Sequence, residues 1–471
     1  MNLGKKTKIV CTIGPATESI EKLTELVNNG MNVMRMNFSH GDFAEQQNRV
    51  DNLKQVIAAT KTPVGMLQDL AGPKIRIGKF KDGVITLKPG QTFTLTTKEV
   101  EGNSERVHIN YPLLPKEVKV GGTILIQDGR KRLEIIKIKG TDIVCKVIVG
   151  GELKDKKGVN VPDADLSISS LTPKDKKDVE FGIKNKVDFV ALSFVRRPSD
   201  VKELRQILDK AKSDAHIISK IETPQAVENI DEIIALSDGI MVARGDLAIE
   251  IPAEDVPMVQ KHIIAKCNAV GKPVITATQM LESMIKSPIP TRAEVSDIAN
   301  AIIDGTDAIM LSEETTLGDF PVEAVKVMTR TALRVEREVY TRDRITEHDE
   351  SHGITDVVSQ SAVRAAHDVD ASLIVALTRS GRTARMIARY RPAETLLALT
   401  DTPEHANKLT LVFGTFPMVA PTFKSIGEVL KKVRDTMIKQ KLIKKGDRIV
   451  SVAGMPFGES AETNVMRIDT L

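Results

Sequence analysis

The sequence contains eight short apolar runs, each ending in polar residues and each followed by a helix-like segment. Runs rich in Val, Ile, Met and Leu are typical of strands that are buried on both faces of a parallel sheet. Eight strand–helix units predict an α/β fold, a closed (β/α)8 TIM barrel, with an open doubly wound sheet as the alternative. The runs occupy residues 8–14, 31–37, 64–70, 188–194, 216–222, 239–245, 273–279 and 308–314.

A long interval separates the third run from the fourth. Residues 73–163 hold short segments rich in Thr, Val and Ile, separated by Gly, Asn and Asp turns. This pattern predicts a small all-β domain inserted after strand three, which leaves residues 1–72 and 164–340 for the barrel. The insertion would leave the barrel at its carboxyl-terminal rim, where such enzymes build their active sites, and could act as a lid.

A second α/β pattern follows the barrel. The segment 341–353 is polar and lacks apolar periodicity, which predicts a linker. We assign 345–471 to a separate C-terminal α/β domain with a regulatory role. Strands are expected at 372–378, 395–400 and 448–454, with a helix at 425–440.

Composition argues against several classes of protein. No apolar run approaches the roughly 20 residues that a membrane span needs. The N-terminal lysines are not followed by the apolar segment of a signal peptide, so we expect a strand there. The net charge of +4 is small for 471 residues and gives no case for binding nucleic acid or a membrane. Cys11, Cys145 and Cys267 lack metal-ligand spacing and are expected to be buried free thiols in a reducing cytoplasm.

The polar residues at the ends of the runs would meet at one rim of the barrel. Lys220 and Glu222 share a face of strand five because side chains alternate along a strand. Asp246 lies just past the next strand, roughly 5 Å away by strand spacing. Two carboxylates from adjacent strand ends can hold a hard cation such as Mg2+. Lys220 could then stabilise an oxyanion or a phosphoryl group, although a structural ion pair with Glu222 is the alternative.

Residues 245–252 begin directly after strand six and predict a helix whose first amides are free to hold an anion. Thr278, at the end of strand seven, could bind a carboxylate or merely cap a helix. Thr291 and Glu294 form a capping box, which we interpret as structural. Further polar residues at or near the strand ends are Arg35, Asn37, Ser39, His40, Asp69, Lys74, Arg76, Arg244, Thr276, Ser312, Glu313 and Glu314.

Six longer motifs occur in a fixed order along the chain: MNVMRMNFSHG, KKGVNVP, SKIE, GIMVARGDLAIEIP, VITATQMLESM and PTRAEVSDIANAIIDGTDAIMLS. Their order and content resemble the pyruvate kinase family over the whole chain. The resemblance implies phosphoryl transfer from phosphoenolpyruvate to ADP, giving pyruvate and ATP in the last step of glycolysis, by a cytoplasmic homotetramer. Two alternatives are a metal-dependent, pyruvate-forming aldolase and a non-catalytic sensor of phosphorylated metabolites.

The resemblance also implies roles for individual residues. Glu222 and Asp246 would bind Mg2+ or Mn2+, and Lys220 would stabilise the phosphoryl transition state and the enolate. Arg35 would hold the phosphoryl group, while the amides of Gly245 and Asp246 would hold the substrate carboxylate. The carboxylate would also meet Thr278, and a water near Thr278 and Ser312 would protonate the enolate. The nucleotide would contact Asn37, Phe38, Ser39, His40, Arg76 and Lys157.

Two departures from the family pattern stand out. The family usually has Thr-Lys-Gly-Pro-Glu after strand three, where the Glu accompanies a required K+, but this chain has Leu70-Ala71-Gly72-Pro73-Lys74. The Lys74 ammonium could replace the charge of K+ in a region bounded by Asn37, Ser39, Asp69 and Leu70. We therefore expect activity without K+. The second departure is Glu313, which replaces a Gly and could crowd the loop or point outward.

The C-terminal domain carries the segment TRSGRTA between a predicted strand and a predicted helix. Hydroxyl groups, a glycine and a helix N-terminus could cradle a phosphate, although a polar helix-capping turn is the alternative. In the family this loop holds a phosphorylated sugar, but the facing loop 454–464 lacks the Trp and Arg of members that bind fructose 1,6-bisphosphate. We expect a sugar monophosphate or AMP as effector, at Thr378, Arg379, Ser380, Gly381, Arg382 and Thr383.

Overall fold

The structure is a computed structural model that describes residues 4–341, 353–420, 425–439, 443–456 and 462–471. Three strands and two helices open the chain: β1 (Lys8–Thr12), α1 (Ile20–Asn29), β2 (Val33–Asn37), α2 (Phe43–Thr60) and β3 (Gly65–Asp69). Helix α1 begins where the Ser19 hydroxyl accepts the Lys22 amide, and it ends at Gly30. The φ of 124° at Gly30 favours glycine because a side chain would be strained there.

The segment after β3 forms the all-β insertion that the sequence predicts. Its elements are β4 (Val84–Leu87), β5 (Thr92–Thr96), β6 (Arg106–His108), α3 (Leu114–Glu117), β7 (Thr123–Ile126), β8 (Lys131–Lys139), β9 (Asp142–Val149), β10 (Gly151–Lys154) and β11 (Val159–Asn160). Six strands pair in the order β11-β7-β8-β9-β5-β6, and β10 pairs with β4. The insertion has a hydrophobic core of its own, which includes Phe93, Leu133 and Cys145.

The remaining barrel elements follow the insertion. They are α4 (Pro173–Asn185), β12 (Phe189–Leu192), α5 (Pro198–Lys210), β13 (His216–Ile221), α6 (Pro224–Glu228), α7 (Ile230–Leu236), β14 (Gly239–Ala243), α8 (Arg244–Glu250), α9 (Val256–Ala269), β15 (Val274–Ala277), a 3-10 turn (Glu282–Ile285), α10 (Arg292–Asp304), β16 (Ala308–Leu311), α11 (Glu313–Thr316) and α12 (Pro321–Val339). The capping box is present at the start of α10, where Thr291 Oγ1 accepts the Glu294 amide and the Glu294 carboxylate accepts the Thr291 amide.

Eight strands close into a parallel barrel in the order β1-β16-β15-β14-β13-β12-β3-β2. The predicted (β/α)8 barrel is therefore confirmed, and the open-sheet alternative is wrong. Every residue of β1, β3, β12, β14, β15 and β16 is buried, as continuous apolar runs require. Strand β3 pairs with β12 across the insertion, so residues far apart in sequence end side by side at the rim.

The C-terminal domain is a five-stranded sheet with helices, and it confirms the predicted separate α/β domain. Its elements are α13 (Ile354–Asp368), β17 (Leu373–Leu377), α14 (Arg382–Ala388), β18 (Thr395–Thr400), α15 (Pro403–Lys408), a 3-10 turn (Leu409–Leu411), β19 (Thr415–Val419), α16 (Ile426–Lys439), β20 (Arg448–Gly454) and β21 (Thr463–Thr470). The strand order is β19-β18-β17-β20-β21, with β21 antiparallel to β20.

The two edge strands of this sheet, β19 and β21, are not among the strands that the sequence predicts. Strand β19 contains Pro417, which cannot donate to a ladder and is tolerated at an edge. Strand β21 has mostly exposed or half-buried residues, so it lacks a continuous apolar run. The predicted linker lies largely outside the described residues, as does the middle of the loop 454–464.

One arginine of the C-terminal domain is buried against the amino-terminal end of the barrel. The Arg391 guanidinium donates to the two carboxylate oxygens of Asp307 at 3.0 and 3.1 Å and to the Gly305 carbonyl at 2.6 Å. It also bonds to the Asn268 side chain and lies 4.5 Å from the centre of the Phe413 ring. Arg391 thus joins the two domains through a desolvated ion pair.

All three cysteines are buried and free, as the sequence predicts. Within the described ranges, the structure contains no helix with the length and apolarity that crossing a membrane requires.

Candidate active site

The ammonium of Lys220 lies at the carboxyl-terminal rim, at the end of β13. Its Nζ is 2.9 Å from Glu222 Oε1 and 3.2 Å from Asp69 Oδ1, and it donates to Ser193 Oγ at 2.7 Å. These partners meet because β3, β12 and β13 are consecutive in the barrel. Burial alone would lower the pKa of Lys220, but the carboxylates of Asp69 and Glu222 raise it above its ordinary value. Lys220 is therefore a fixed positive charge.

Asp69 joins Lys220 to a second cation. Arg35 Nε donates to Asp69 Oδ2 at 2.7 Å, and Arg35 Nη1 donates to Thr12 Oγ1 at 2.7 Å. Burial would raise the pKa of Asp69, but Lys220 and Arg35 hold it below its usual range. The two bonds fix the orientation of the Arg35 side chain, which is 10% exposed, towards the rim.

Glu222 and Asp246 supply the two carboxylates that the sequence pairs as metal ligands. Glu222 is 1% exposed, and its Oε2 accepts the Phe194 amide at 2.7 Å. Burial raises the pKa of Glu222, Lys220 opposes this shift, and the charge of Asp246 adds to it. Asp246 is half-buried in the first turn of α8.

This pair fits a hard divalent cation. Two like charges near each other, one of them fully buried, are stabilised when a cation binds between them. The described residues contain no cluster of three or more His, Cys, Asp or Glu side chains that could hold a metal. With two carboxylate ligands from the protein, a cation at Glu222 and Asp246 would keep sites for water and substrate oxygens, which is the arrangement that Mg2+ prefers.

A turn at the end of strand β15 faces the start of α8. Thr278 has a φ of 71°, and its Oγ1 accepts the Gly245 amide at 2.8 Å. A Cβ on Gly245 would lie 3.2 Å from Thr278 Oγ1, so the small residue permits this close approach. Arg244 holds the same turn, because it donates to the Thr278 carbonyl at 2.9 Å and forms a bidentate pair with Asp297 at 2.6 and 2.7 Å.

A cleft of about 220 Å³ lies between the inserted domain and the barrel. Arg76, Lys157 and Asp128 line it beside Asp246 and Arg196 of the barrel. Its rim is closed on one side where Asn160 Nδ2 donates to Glu250 Oε1 at 2.6 Å. The predicted nucleotide residues Arg76 and Lys157 therefore share one cleft with a predicted metal ligand.

The loop after β2 carries the other predicted nucleotide residues. Ser39 and His40 are exposed, and Asn37 Oδ1 accepts the Ser39 amide at 3.0 Å. Phe38 differs, because its ring is buried and lies 5.4 Å from the ring of Phe181. Its side chain is part of the core, its amide donates to the Asp69 carbonyl at 2.9 Å, and its carbonyl accepts Lys174 Nζ at 2.8 Å. Its role in nucleotide binding stays a prediction.

Strand β16 ends beside this rim. The Glu314 carboxylate accepts the amides of Ser312 at 2.7 Å and Leu281 at 3.0 Å, so it shapes the turn. Ser312 is half-buried, while Glu313 is exposed and points away from the packed interior. The substitution of Glu313 for the usual glycine therefore does not crowd the loop.

The region that would accommodate a monovalent cation is occupied by internal contacts. Asp69 already carries two ion pairs, and the Leu70 carbonyl accepts the Ser193 hydroxyl at 2.7 Å. Lys74 is exposed and lines the cleft that Asp246 also lines.

The predicted effector loop lies between β17 and α14. Gly381 has a φ of 80°, a conformation that favours glycine, at the N-terminus of α14. Arg379 Nε is 3.1 Å from Asp401 Oδ2, and Thr383 Oγ1 is 2.8 Å from Thr463 Oγ1. Thr378 and Thr383 are buried, whereas Ser380 and Arg382 are exposed.

Sequence reasoning missed two hydroxyl residues of the site. Thr12 ends strand β1 and positions Arg35, and Ser193 follows strand β12 and contacts Lys220. Both lie within apolar runs that the sequence identifies, and their place at strand ends is the signal that could have found them.

The fold and the site together define a (β/α)8-barrel enzyme with a cationic centre and a lid, suited to phosphoryl transfer. A family model described as pyruvate kinase, barrel domain, matches residues 4–325, and one described as pyruvate kinase, alpha/beta domain, matches 356–469. The chain is 46% identical to a pyruvate kinase of Geobacillus stearothermophilus over 473 residues, covering 99% of this chain and 80% of that protein. It is 48% identical to a pyruvate kinase of Bacillus licheniformis over 469 residues, covering 98% and 80%.

A solved structure of a pyruvate kinase from Cryptosporidium parvum matches with a TM-score of 0.94 and 40% identity, covering 99% of this chain and 96% of that one. The chain belongs to the pyruvate kinase family. Its function is pyruvate kinase activity, with phosphoenolpyruvate and ADP as the substrates that the family implies. The aldolase and sensor alternatives are set aside, and Mg2+ is the cofactor that the family generally uses.

Proposed function

We propose that phosphoryl transfer from phosphoenolpyruvate to ADP occurs beside Lys220, with Glu222 and Asp246 as the ligands of Mg2+ or Mn2+. The strongest support is that the buried Lys220 ammonium lies 2.9 Å from the buried Glu222 carboxylate, while Asp246, the second proposed ligand, lines the cleft. The bound cation would neutralise charge on the phosphoryl oxygens. Side chains and amides of this chain would bind the substrates and stabilise the remaining charge.

Lys220 and Arg35 would stabilise the negative charge of the transferring group. Both are held by Asp69, so their charges are in place before substrate binds and little reorganisation is needed. Arg35 Nη2 has no hydrogen-bond partner in the described part of the chain, which leaves it for a phosphoryl oxygen. Lys220 would also stabilise the enolate that remains after transfer.

The substrate carboxylate would bind at the start of α8. The amides of Gly245 and Asp246 lie in the first turn of that helix, where backbone N–H groups favour an anion. The Gly245 amide now bonds to Thr278, so the carboxylate would share or replace that bond. A water near Thr278 and Ser312 would then protonate the enolate carbon.

The nucleotide phosphates would lie in the cleft between Arg76 and Lys157 and the loop of Asn37, Ser39 and His40. Arg76 and Lys157 would supply donors from the boundary of the inserted domain, and the loop would supply donors from the barrel.

The assignment of the cation ligands can be tested without measuring turnover. Mn2+ binding, followed by water-proton relaxation, should be lost in Glu222→Gln and kept in Glu338→Gln, whose side chain is 65% exposed. Unchanged Mn2+ affinity in Glu222→Gln would remove Glu222 from the site.

We also propose that the enzyme does not require K+. Support comes from Lys74 at the cleft and from Asp69, whose charge is already balanced by Lys220 and Arg35. Assays in buffer free of Na+ and K+ should give full activity, and strong activation by added K+ would contradict the proposal.

The loop Thr378–Thr383 is our proposed effector site, for a sugar monophosphate or AMP. A phosphate bound there would compete with Asp401 for Arg379. Rate curves against phosphoenolpyruvate with AMP, ribose 5-phosphate or fructose 1,6-bisphosphate should show activation by one of the first two.

We further propose a cytoplasmic homotetramer. Light scattering of the purified chain would test the number of subunits.

A further inference from the structure

We propose that Ser193 is the residue that positions Lys220 for phosphoryl transfer. This inference rests on the proposed role of Lys220. Ser193 directly follows β12, the strand between β3 and β13 in the barrel, so it lies between Asp69 and Lys220. It is 2% exposed, and its Oγ accepts a hydrogen bond from the Lys220 ammonium at 2.7 Å.

The direction of this hydrogen bond is determined by the surroundings of Ser193. A serine hydroxyl has one proton and two lone pairs. The Leu70 carbonyl lies 2.7 Å from Ser193 Oγ, whereas Asp69 Oδ1 lies 3.5 Å away, so the proton goes to Leu70. The lone pairs of Ser193 are then directed to Lys220, which can only donate.

Lys220 has three close side-chain partners, and Ser193 is the one without a charge. Asp69 also binds Arg35, and Glu222 is a proposed metal ligand that also accepts the Phe194 amide. Besides the bond from Lys220, the Ser193 hydroxyl donates to the Leu70 carbonyl at 2.7 Å. It therefore fixes the ammonium without competing with a phosphoryl oxygen for charge.

The backbone around Ser193 is tightly packed, which makes the hydroxyl a rigid support. A Cβ on Gly72 would lie 3.0 Å from the Ser193 Cβ and 2.8 Å from the Phe194 ring. The loop after β3 thus lies directly against Ser193, and the φ of +66° at Gly72 favours glycine there.

Removal of the hydroxyl should affect the chemical step more than binding. Without Ser193 Oγ, the two carboxylates alone would orient the ammonium, and a small displacement of a reacting group costs up to about 100-fold in rate. We expect kcat of Ser193→Ala to fall about 10- to 100-fold while KM for phosphoenolpyruvate stays within about twofold. Ser193 does not contact substrate, so it is a positioning residue.

Two further variants separate positioning from packing. Ser193→Cys keeps nearly the same volume but offers a sulfur that accepts hydrogen bonds weakly, so it should lose kcat as Ser193→Ala does. Ser359→Ala is the matched control, because Ser359 is also buried and also donates to a backbone carbonyl at 2.7 Å, but in α13 of the C-terminal domain. Its kcat should be unchanged.

Steady-state kinetics of the full chain decide the matter. Wild-type kcat in Ser193→Ala, wild-type kcat in Ser193→Cys alone, or an equal loss in Ser359→Ala would each overturn the proposal. The proposed function is judged separately by Lys220→Met. If that variant stays active, the role of Lys220 fails; if it is inactive while Ser193→Ala is normal, only the role of Ser193 fails.

Discussion

Replacing Arg391 with methionine should destabilise the protein by leaving a carboxylate buried without its cation. The side chains of Arg391 and Asp307 are 3% and 5% exposed. Removing one partner of a buried ion pair costs about 3–5 kcal/mol. Asp307 keeps the amides of Phe413 at 3.0 Å and Val274 at 3.1 Å, so we expect the lower part of that range. Loss of the cation–π contact with Phe413 adds to the cost.

The assay is equilibrium urea unfolding followed by far-UV circular dichroism, because the chain has no Trp to report by fluorescence. Arg334→Met is the control, since that side chain is 70% exposed and pairs with an exposed glutamate, Glu338. The double variant Arg391→Met with Asp307→Asn should be more stable than Arg391→Met, because it removes the stranded charge. A stability of Arg391→Met equal to that of Arg334→Met, or no recovery in the double variant, would refute the reasoning.

Three other predictions follow from single residues. Burial raises the pKa of Asp188 from 3.8 to about 7, so the folded chain holds this proton more tightly than the unfolded chain. Its contribution to stability should be complete below about pH 4 and lost as pH rises through about 7. Asp188→Asn should flatten that part of a urea-midpoint profile, and an unchanged profile would contradict the assignment. Lys74→Glu should make turnover depend on added K+, and K+-independent turnover of the variant would argue against Lys74. Thr291→Ala should cost about 1 kcal/mol in urea unfolding with kcat unchanged, and no loss of stability would argue against the capping box.

The barrel and its main charged residues were predictable from the sequence for a physical reason. Strands buried on both faces need continuous apolar runs, and the carboxyl ends of parallel strands share one rim. These two facts are enough to place Lys220, Glu222 and Asp246 together at that rim. The inserted domain is also predictable from the sequence, because its short Thr-rich strands interrupt the alternation of apolar strands and helices.

The supporting hydroxyls were not predictable in the same way. Thr12 and Ser193 are small residues in apolar runs, and their partners depend on which strands are neighbours in the closed barrel. Strands β3 and β12 pair across the whole insertion, so the link from Ser193 to Leu70 has no local signal. Phe38 is the opposite case, because its neighbours in the sequence are polar but its own ring is buried in the core. The polarity of its neighbours therefore does not reveal where the ring lies.

The edge strands of the C-terminal sheet show a third limit. Strand β21 has mostly exposed or half-buried residues, so it lacks the apolar run that marks β17 and β20. Strand β19 is apolar, but Pro417 in its middle is unusual for a strand away from an edge. Local sequence therefore identifies the centre of this sheet better than its edges.

The most direct test of the account is the rate of pyruvate formation from phosphoenolpyruvate and ADP with Mg2+, in a coupled assay on four forms of the chain. The unchanged chain and Lys286→Met, whose side chain is 75% exposed, should be equally active. Lys220→Met and Glu222→Gln should each lose at least about 100-fold in kcat/KM, because each removes charge that stabilises the transition state. Activity close to that of the unchanged chain in both variants would contradict the assignment of the site.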